Sequence, residues 1–73
     1  MTDEAIVRQL TRSALARLVE KTMREQSLSV ANAIEEVYSS RLYRLVTDPS
    51  IGLYREGPDY LYEMLCEEKN AKQ

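Results

Sequence analysis

The run Thr2-Asp3-Glu4-Ala5-Ile6-Val7-Arg8-Gln9-Leu10-Thr11-Arg12-Ser13-Ala14-Leu15-Ala16-Arg17-Leu18-Val19-Glu20-Lys21-Thr22-Met23-Arg24-Glu25-Gln26 contains neither proline nor glycine. Two adjacent rows of apolar or small residues run along it at i, i+4 spacing, Val7-Thr11-Leu15-Val19-Met23 and Leu10-Ala14-Leu18-Thr22. On a helix these rows merge into one broad stripe that drifts around the axis. A drifting stripe suits an angled helix crossing better than a straight heptad seam. Thr2 reads as the N-cap, and Asp3 and Glu4 stand where a helix N-terminus favours negative charge. The pattern predicts a helix over 3–25.

At 1.5 Å per residue that helix is about 34 Å long. A globule of this size has a radius of gyration near 11 Å and a diameter of roughly 29 Å. The helix therefore spans or overhangs its own domain, and an overhanging amphipathic helix is a natural dimer surface. The expected interface is Val7, Leu10, Ala14, Leu15, Leu18, Val19 and Met23. Size argues the same way. Burial of roughly 4,500 Å² of apolar surface contributes on the order of 110 kcal/mol. Ordering the chain at about 1.5 kcal/mol per residue costs the same. Burial against another chain is the expected supplement, with a homodimer favoured.

Working outward, Ser27-Leu28-Ser29 interrupts the helix, and Ser29 can cap a second one over 29–39. Its apolar face is Val30, Ala33, Ile34, Val37 and Tyr38. Beyond Ser39-Ser40 the residues Leu42, Leu45 and Val46 lie on a rotated face over 40–47. Residues 29–47 are thus one kinked helix or two. Asp48-Pro49-Ser50-Ile51-Gly52 reads as a turn inside a Pro/Gly-containing loop, 48–57. Within it Gly52 is expected to need a backbone angle closed to other residues, so that Leu53 and Tyr54 dock the loop onto the helices. Pro58 opens a last helix over 58–69, with Leu61, Met64 and Leu65 facing inward and Asn70 to Gln73 fraying. No segment alternates with the period of a strand. The expected architecture is all-α, a small bundle of three to four helices in a single domain over 1–73.

Composition narrows the chemistry. The chain has 73 residues, no histidine, one cysteine and two glycines. There is no imidazole base, no cysteine-cluster metal site and no glycine-rich phosphate loop. Glu35-Glu36 and Glu67-Glu68 are neighbours that diverge by about 100° on a helix. Cys66 has Glu63, Glu67 and Glu68 around it, which disfavour a thiolate. No catalytic residue, cofactor or metal is expected, and the chain is read as not an enzyme. Five tyrosines supply all the aromatic content, and core or interface roles suit them better than base stacking.

The net charge is only −2. Yet Arg8, Arg12, Arg17, Lys21 and Arg24 sit in the first helix, while Glu56, Asp59, Glu63, Glu67 and Glu68 sit in the last quarter. The basic segment can meet the acidic one within or between chains. An alternative use of those five basic residues is an antitoxin-type DNA-binding regulator, whose affinity would fall steeply with salt. A helix-turn-helix is disfavoured, because the helix after the 26–29 turn carries Glu35 and Glu36 and no base before Arg41. The acidic Met1-Thr2-Asp3-Glu4 start has no apolar run behind it, and no stretch of 18 apolar residues occurs. A cytoplasmic location without membrane contact is expected.

The stretch from Ser39 to Leu65 resembles a small uncharacterised bacterial all-helical family. That family's second half follows Ser-x-x-Tyr-x-x-Leu-x-Asp, then Gly-Leu-Tyr, then a Tyr-rich final helix. The matching residues are Ser40, Tyr43, Val46, Asp48, Gly52, Leu53, Tyr54, Tyr60 and Leu61, with Val46 standing where the pattern more often has Leu. The likeness covers residues 34 to 68. It implies a gene among toxin–antitoxin-like small clusters and a partner encoded nearby, and it names no catalytic residue. The expected function is a non-catalytic protein-interaction module that self-associates, binds a neighbour-encoded partner, or both.

Overall fold

The computed structural model of the chain describes residues 2–71. The capping role expected of the Thr2 side chain and the fraying expected at Lys72 and Gln73 lie outside the described residues. Among the described residues four α-helices occur: α1 over Thr2–Gln26, α2 over Val30–Tyr38, α3 over Arg41–Thr47 and α4 over Pro58–Ala71. A 3₁₀ turn over Leu53–Arg55 lies between α3 and α4 and was not anticipated from the sequence. No strand occurs among the described residues. The fold is a small all-α bundle.

Each boundary has a local cause. After α1, Ser27 takes φ +54°, in the left-handed region, and the Leu28 N–H reaches back to the Met23 carbonyl at 3.1 Å. This six-to-one closure satisfies an end carbonyl and turns the chain sharply. Ser29 then caps α2, its hydroxyl accepting the Asn32 N–H at 3.2 Å. Residues 29–47 form two helices, because Ser40 starts a fresh one. Its hydroxyl accepts the Tyr43 N–H at 3.2 Å and donates to the Val37 carbonyl at 2.6 Å. Pro49 forbids α3 to continue. The Ile51 N–H bonds the Asp48 carbonyl at 3.1 Å, and the Asp48 carboxylate accepts from the Ser50 N–H and hydroxyl at 3.0 and 2.7 Å. Those two bonds hold the Asp48 carboxyl below its usual range. Gly52 follows at φ +81° and opens the 3₁₀ turn.

All other elements pack along α1. At about 37 Å it sets the 40 Å long axis of a molecule only 24 and 18 Å across. The radius of gyration is 12.2 Å, larger than the roughly 11 Å of a compact chain of this length. The core is Ala14, Leu15, Leu18 and Val19 from α1, Ala33 and Val37 from α2, Leu42 and Val46 from α3, and Leu61 and Leu65 from α4. Thr22 is fully enclosed among them and donates its hydroxyl to the Leu18 carbonyl at 2.8 Å. That back-bond satisfies the one hydroxyl buried in the middle of α1.

The main correction concerns the interface expected on α1. Ala14, Leu15, Leu18 and Val19, read as an interface for a second chain, are all less than 10% exposed inside this chain's own core. Four later elements supply enough apolar surface to cover the middle of α1. Of α2's five apolar residues only Ala33 and Val37 enter the core, while Val30, Ile34 and Tyr38 face out. A smaller one concerns α4, which continues through Asn70 and Ala71 rather than fraying from 70.

Candidate interaction surface

Three polar contacts fix how α4 sits on the rest. Glu68 on α4 takes the backbone N–H of Arg41 at 2.7 Å and of Leu42 at 2.9 Å, one with each carboxylate oxygen. These are free donors at the start of α3, so a side chain 26 residues away completes that helix's cap. At the other end of α4, Lys21 on α1 pairs with Asp59 at 3.2 Å, with Glu25 at 3.6 Å in its own helix. This is the one place among the described residues where the basic first segment meets the acidic last one. The Asp59 bond raises the Lys21 pKa above its ordinary 10.5.

Between these lies a four-residue chain. The Gln26 amide donates to the Tyr62 hydroxyl at 3.2 Å, and the Lys69 ammonium donates to the Gln26 carbonyl oxygen at 3.5 Å. Lys69 also forms an ion pair with Glu36 on α2. α1, α2 and α4 are clasped there, and the Glu36 contact raises the Lys69 pKa. Burial raises that of Tyr62. Glu36, Glu68 and Asp59 are thereby engaged in structural contacts. Among the described residues no group of three His, Cys, Asp or Glu side chains converges as metal ligands. Cys66 is half-buried.

What remains open is apolar. Val30, Ile34 and Tyr38 stand at i, i+4 spacing on α2 with exposures of 53%, 43% and 46%. They line a groove of about 520 Å³ whose far wall is α1, contributing Val19 and Met23, with Arg17 and Glu20 at the rim. Tyr38 is braced from behind by Tyr43, the two rings stacked at 4.6 Å. An aromatic ring held in place loses little entropy when a partner covers it. A second apolar pair, Ile6 and Leu10, is exposed near the start of α1 beside Tyr54 and Arg55. The groove next to it, between α1 and Pro49, holds Val7 and Pro49 among Asp3, Glu4, Arg8, Thr11 and Thr47, and most of the surface it exposes is apolar.

The residues singled out from sequence therefore scatter. Leu10 is exposed, Val7 and Met23 are half-buried, and only Val19 and Met23 touch the α2 groove. Gly52, Leu53 and Tyr54 stay together: Leu53 packs against the core and Tyr54 is 8% exposed. The five basic residues do not gather. Steps of about 100° per residue put Arg8 and Arg12 on one flank of the buried stripe, with Arg17, Lys21 and Arg24 about 170° away on the other. Val30, Ile34 and Tyr38 escaped as a surface because their apolar row looks the same whether a neighbour or water covers it. No helix among the described residues is long and apolar enough to cross a membrane. Comparison with protein-family models, curated protein sequences and solved structures finds no match to this chain.

Proposed function

We propose that this chain is a non-catalytic protein-interaction module that works through the groove between α1 and α2. The observation that carries this reading is the Val30-Ile34-Tyr38 row, three large apolar side chains left open on one side of a helix whose Ala33 and Val37 already serve the core. Contiguous exposed apolar surface of this kind marks a protein contact more often than a neutral surface. Supporting it, one carboxylate of each adjacent pair, Glu36 and Glu68, is spent on an ion pair or a helix cap, and Tyr38 is positioned in advance by Tyr43. The resemblance to the bacterial family from which a neighbour-encoded partner was expected agrees with such a role.

The test is co-expression with neighbouring open reading frames, followed by affinity purification of the wild type and of Ile34→Glu. The module keeps a stoichiometric protein partner, a second copy or another chain, in the wild type. It loses that partner in Ile34→Glu, whose helical circular dichroism is unchanged. A wild type that purifies as a lone monomer ends the reading.

A further inference from the structure

We infer that the chain dimerises by exchange: the turn over Ser27–Ser29 straightens, and α2, α3 and α4 of each copy close over α1 of the other. The partner is a second copy of the chain. This inference stands apart from the groove reading, because the surface it uses is the core itself. The turn divides that core in two. Ala14, Leu15, Leu18 and Val19 precede it, and the core residues of α2, α3 and α4 all follow it. The Lys21–Asp59 pair and the Gln26–Tyr62 bond cross the same divide. Each of these contacts re-forms between two copies once the turn opens, so the exchanged dimer needs no new surface.

The turn itself favours opening. Ser27 holds φ +54°, the one non-glycine residue in the left-handed region among the described residues. That place at the end of a helix is ordinarily taken by glycine, because a Cβ is strained there. Only Ser27, Leu28 and Ser29 join the two helices, and short links under strain are those that exchange. Neither proline nor glycine occurs from Thr2 to Thr47, so nothing forbids helix through the turn. The phase of the buried stripe passes through it as well. Ala33 follows Leu15 by 18 residues and Val37 follows Val19 by 18, about five full turns. A straightened helix over α1 and α2 therefore keeps all four on one face. In the closed chain α2 lies back beside residues 16–23 of α1. Two straight helices running in opposite directions reproduce that packing twice, about a two-fold axis at the link. Straightening gives up the Ser29 cap on Asn32, which opposes the exchange and keeps the closed monomer dominant in dilute solution.

Refolding the full chain from urea at about 1 mM, followed by size exclusion, tests this. A dimer is expected whose association constant depends on residue 27. Ser27→Gly, which holds the closed turn without strain, lowers that constant about tenfold, and Ser27→Ala, which favours helix, raises it. Exchange is read directly in a Cys66→Ser background carrying Lys21→Cys and Asp59→Cys. A short bismaleimide then joins two different chains in the dimer and one chain to itself in the monomer. A dimer whose bridged chains separate in a denaturing gel overturns the exchange. So does refolding at that concentration that leaves the wild type and Ser27→Ala both monomeric. Ile34 faces out in the closed chain, so Ile34→Glu is expected to leave the dimer constant unchanged. Loss of the dimer in that variant would place the contact in the groove instead, and the groove reading is decided separately by its own co-purification.

Discussion

The Glu68 carboxylate and the Leu42 backbone N–H, 26 positions apart in sequence, meet at 2.9 Å, and the same carboxylate takes the Arg41 N–H at 2.7 Å. α3 has only seven residues, too few to persist alone. Its start is held from one side by the Ser40 hydroxyl and from the other by α4, which couples the third helix to the last.

Removing that carboxylate tests the coupling. Glu68→Ala is expected to cost about 1–2 kcal/mol, the range of a lost cap with charge-assisted bonds. The adjacent exposed Glu67→Ala is expected to stay within about 0.5 kcal/mol. Thermal denaturation of both variants reads the difference, and equal melting temperatures would refute it.

Gly52 sits at φ +81° with open space where a Cβ would stand, so its substitution is a matter of backbone angle alone. Gly52→Ala is expected to cost about 1–2 kcal/mol. Gly57→Ala, equally open and without a positive φ, is expected to be neutral or slightly stabilising. Tyr60→Ala, at a ring half in solvent, costs less than Gly52→Ala. Urea unfolding of the three variants gives the order.

Leu18 and Leu10 stand on the same helix with 0% and 43% exposure. Leu18→Ala is expected to cost about 2–5 kcal/mol, enough to unfold much of so small a domain. Leu10→Ala should cost well under half of that. If the two variants melted together, the middle of α1 would be a surface, as the sequence alone had suggested.

The polar contacts give a pH dependence with a definite sign. Lys69 and Lys21 have pKa values raised above 10.5 by Glu36 and Asp59, and burial raises Tyr62 above 10.0. Each folded-state value lies above its unfolded one. Their contribution is therefore complete below about pH 10 and lost as pH climbs through the raised values. The melting temperature is expected to fall in that alkaline window, and to fall less steeply in Lys69→Met. Identical slopes for the two proteins would show that the Lys69–Glu36 pair contributes nothing.

What could be read in the sequence was what is decided within a few residues. Ser29, Ser40, Asp48 and Pro58 each act on backbone groups of their own or neighbouring turns, and so the helix boundaries and the loop were legible. The Gly52 angle was legible for the same reason. Glu68 was not, because its partners are 26 positions away and nothing in a lone glutamate announces a distant helix start. The division of apolar residues between core and surface was not legible either. Leu18 and Ile34 are both apolar positions on amphipathic helices, and only the arrangement of the neighbouring helices buries one and exposes the other.

Because α2, α3, the 3₁₀ turn and α4 all lean on α1, that helix is a shared wall rather than one member among equals. No element can swing away while the rest stays closed without baring part of α1. The molecule therefore opens as one cooperative unit, and amides in short α3 should exchange with solvent nearly as slowly as those in the middle of α1.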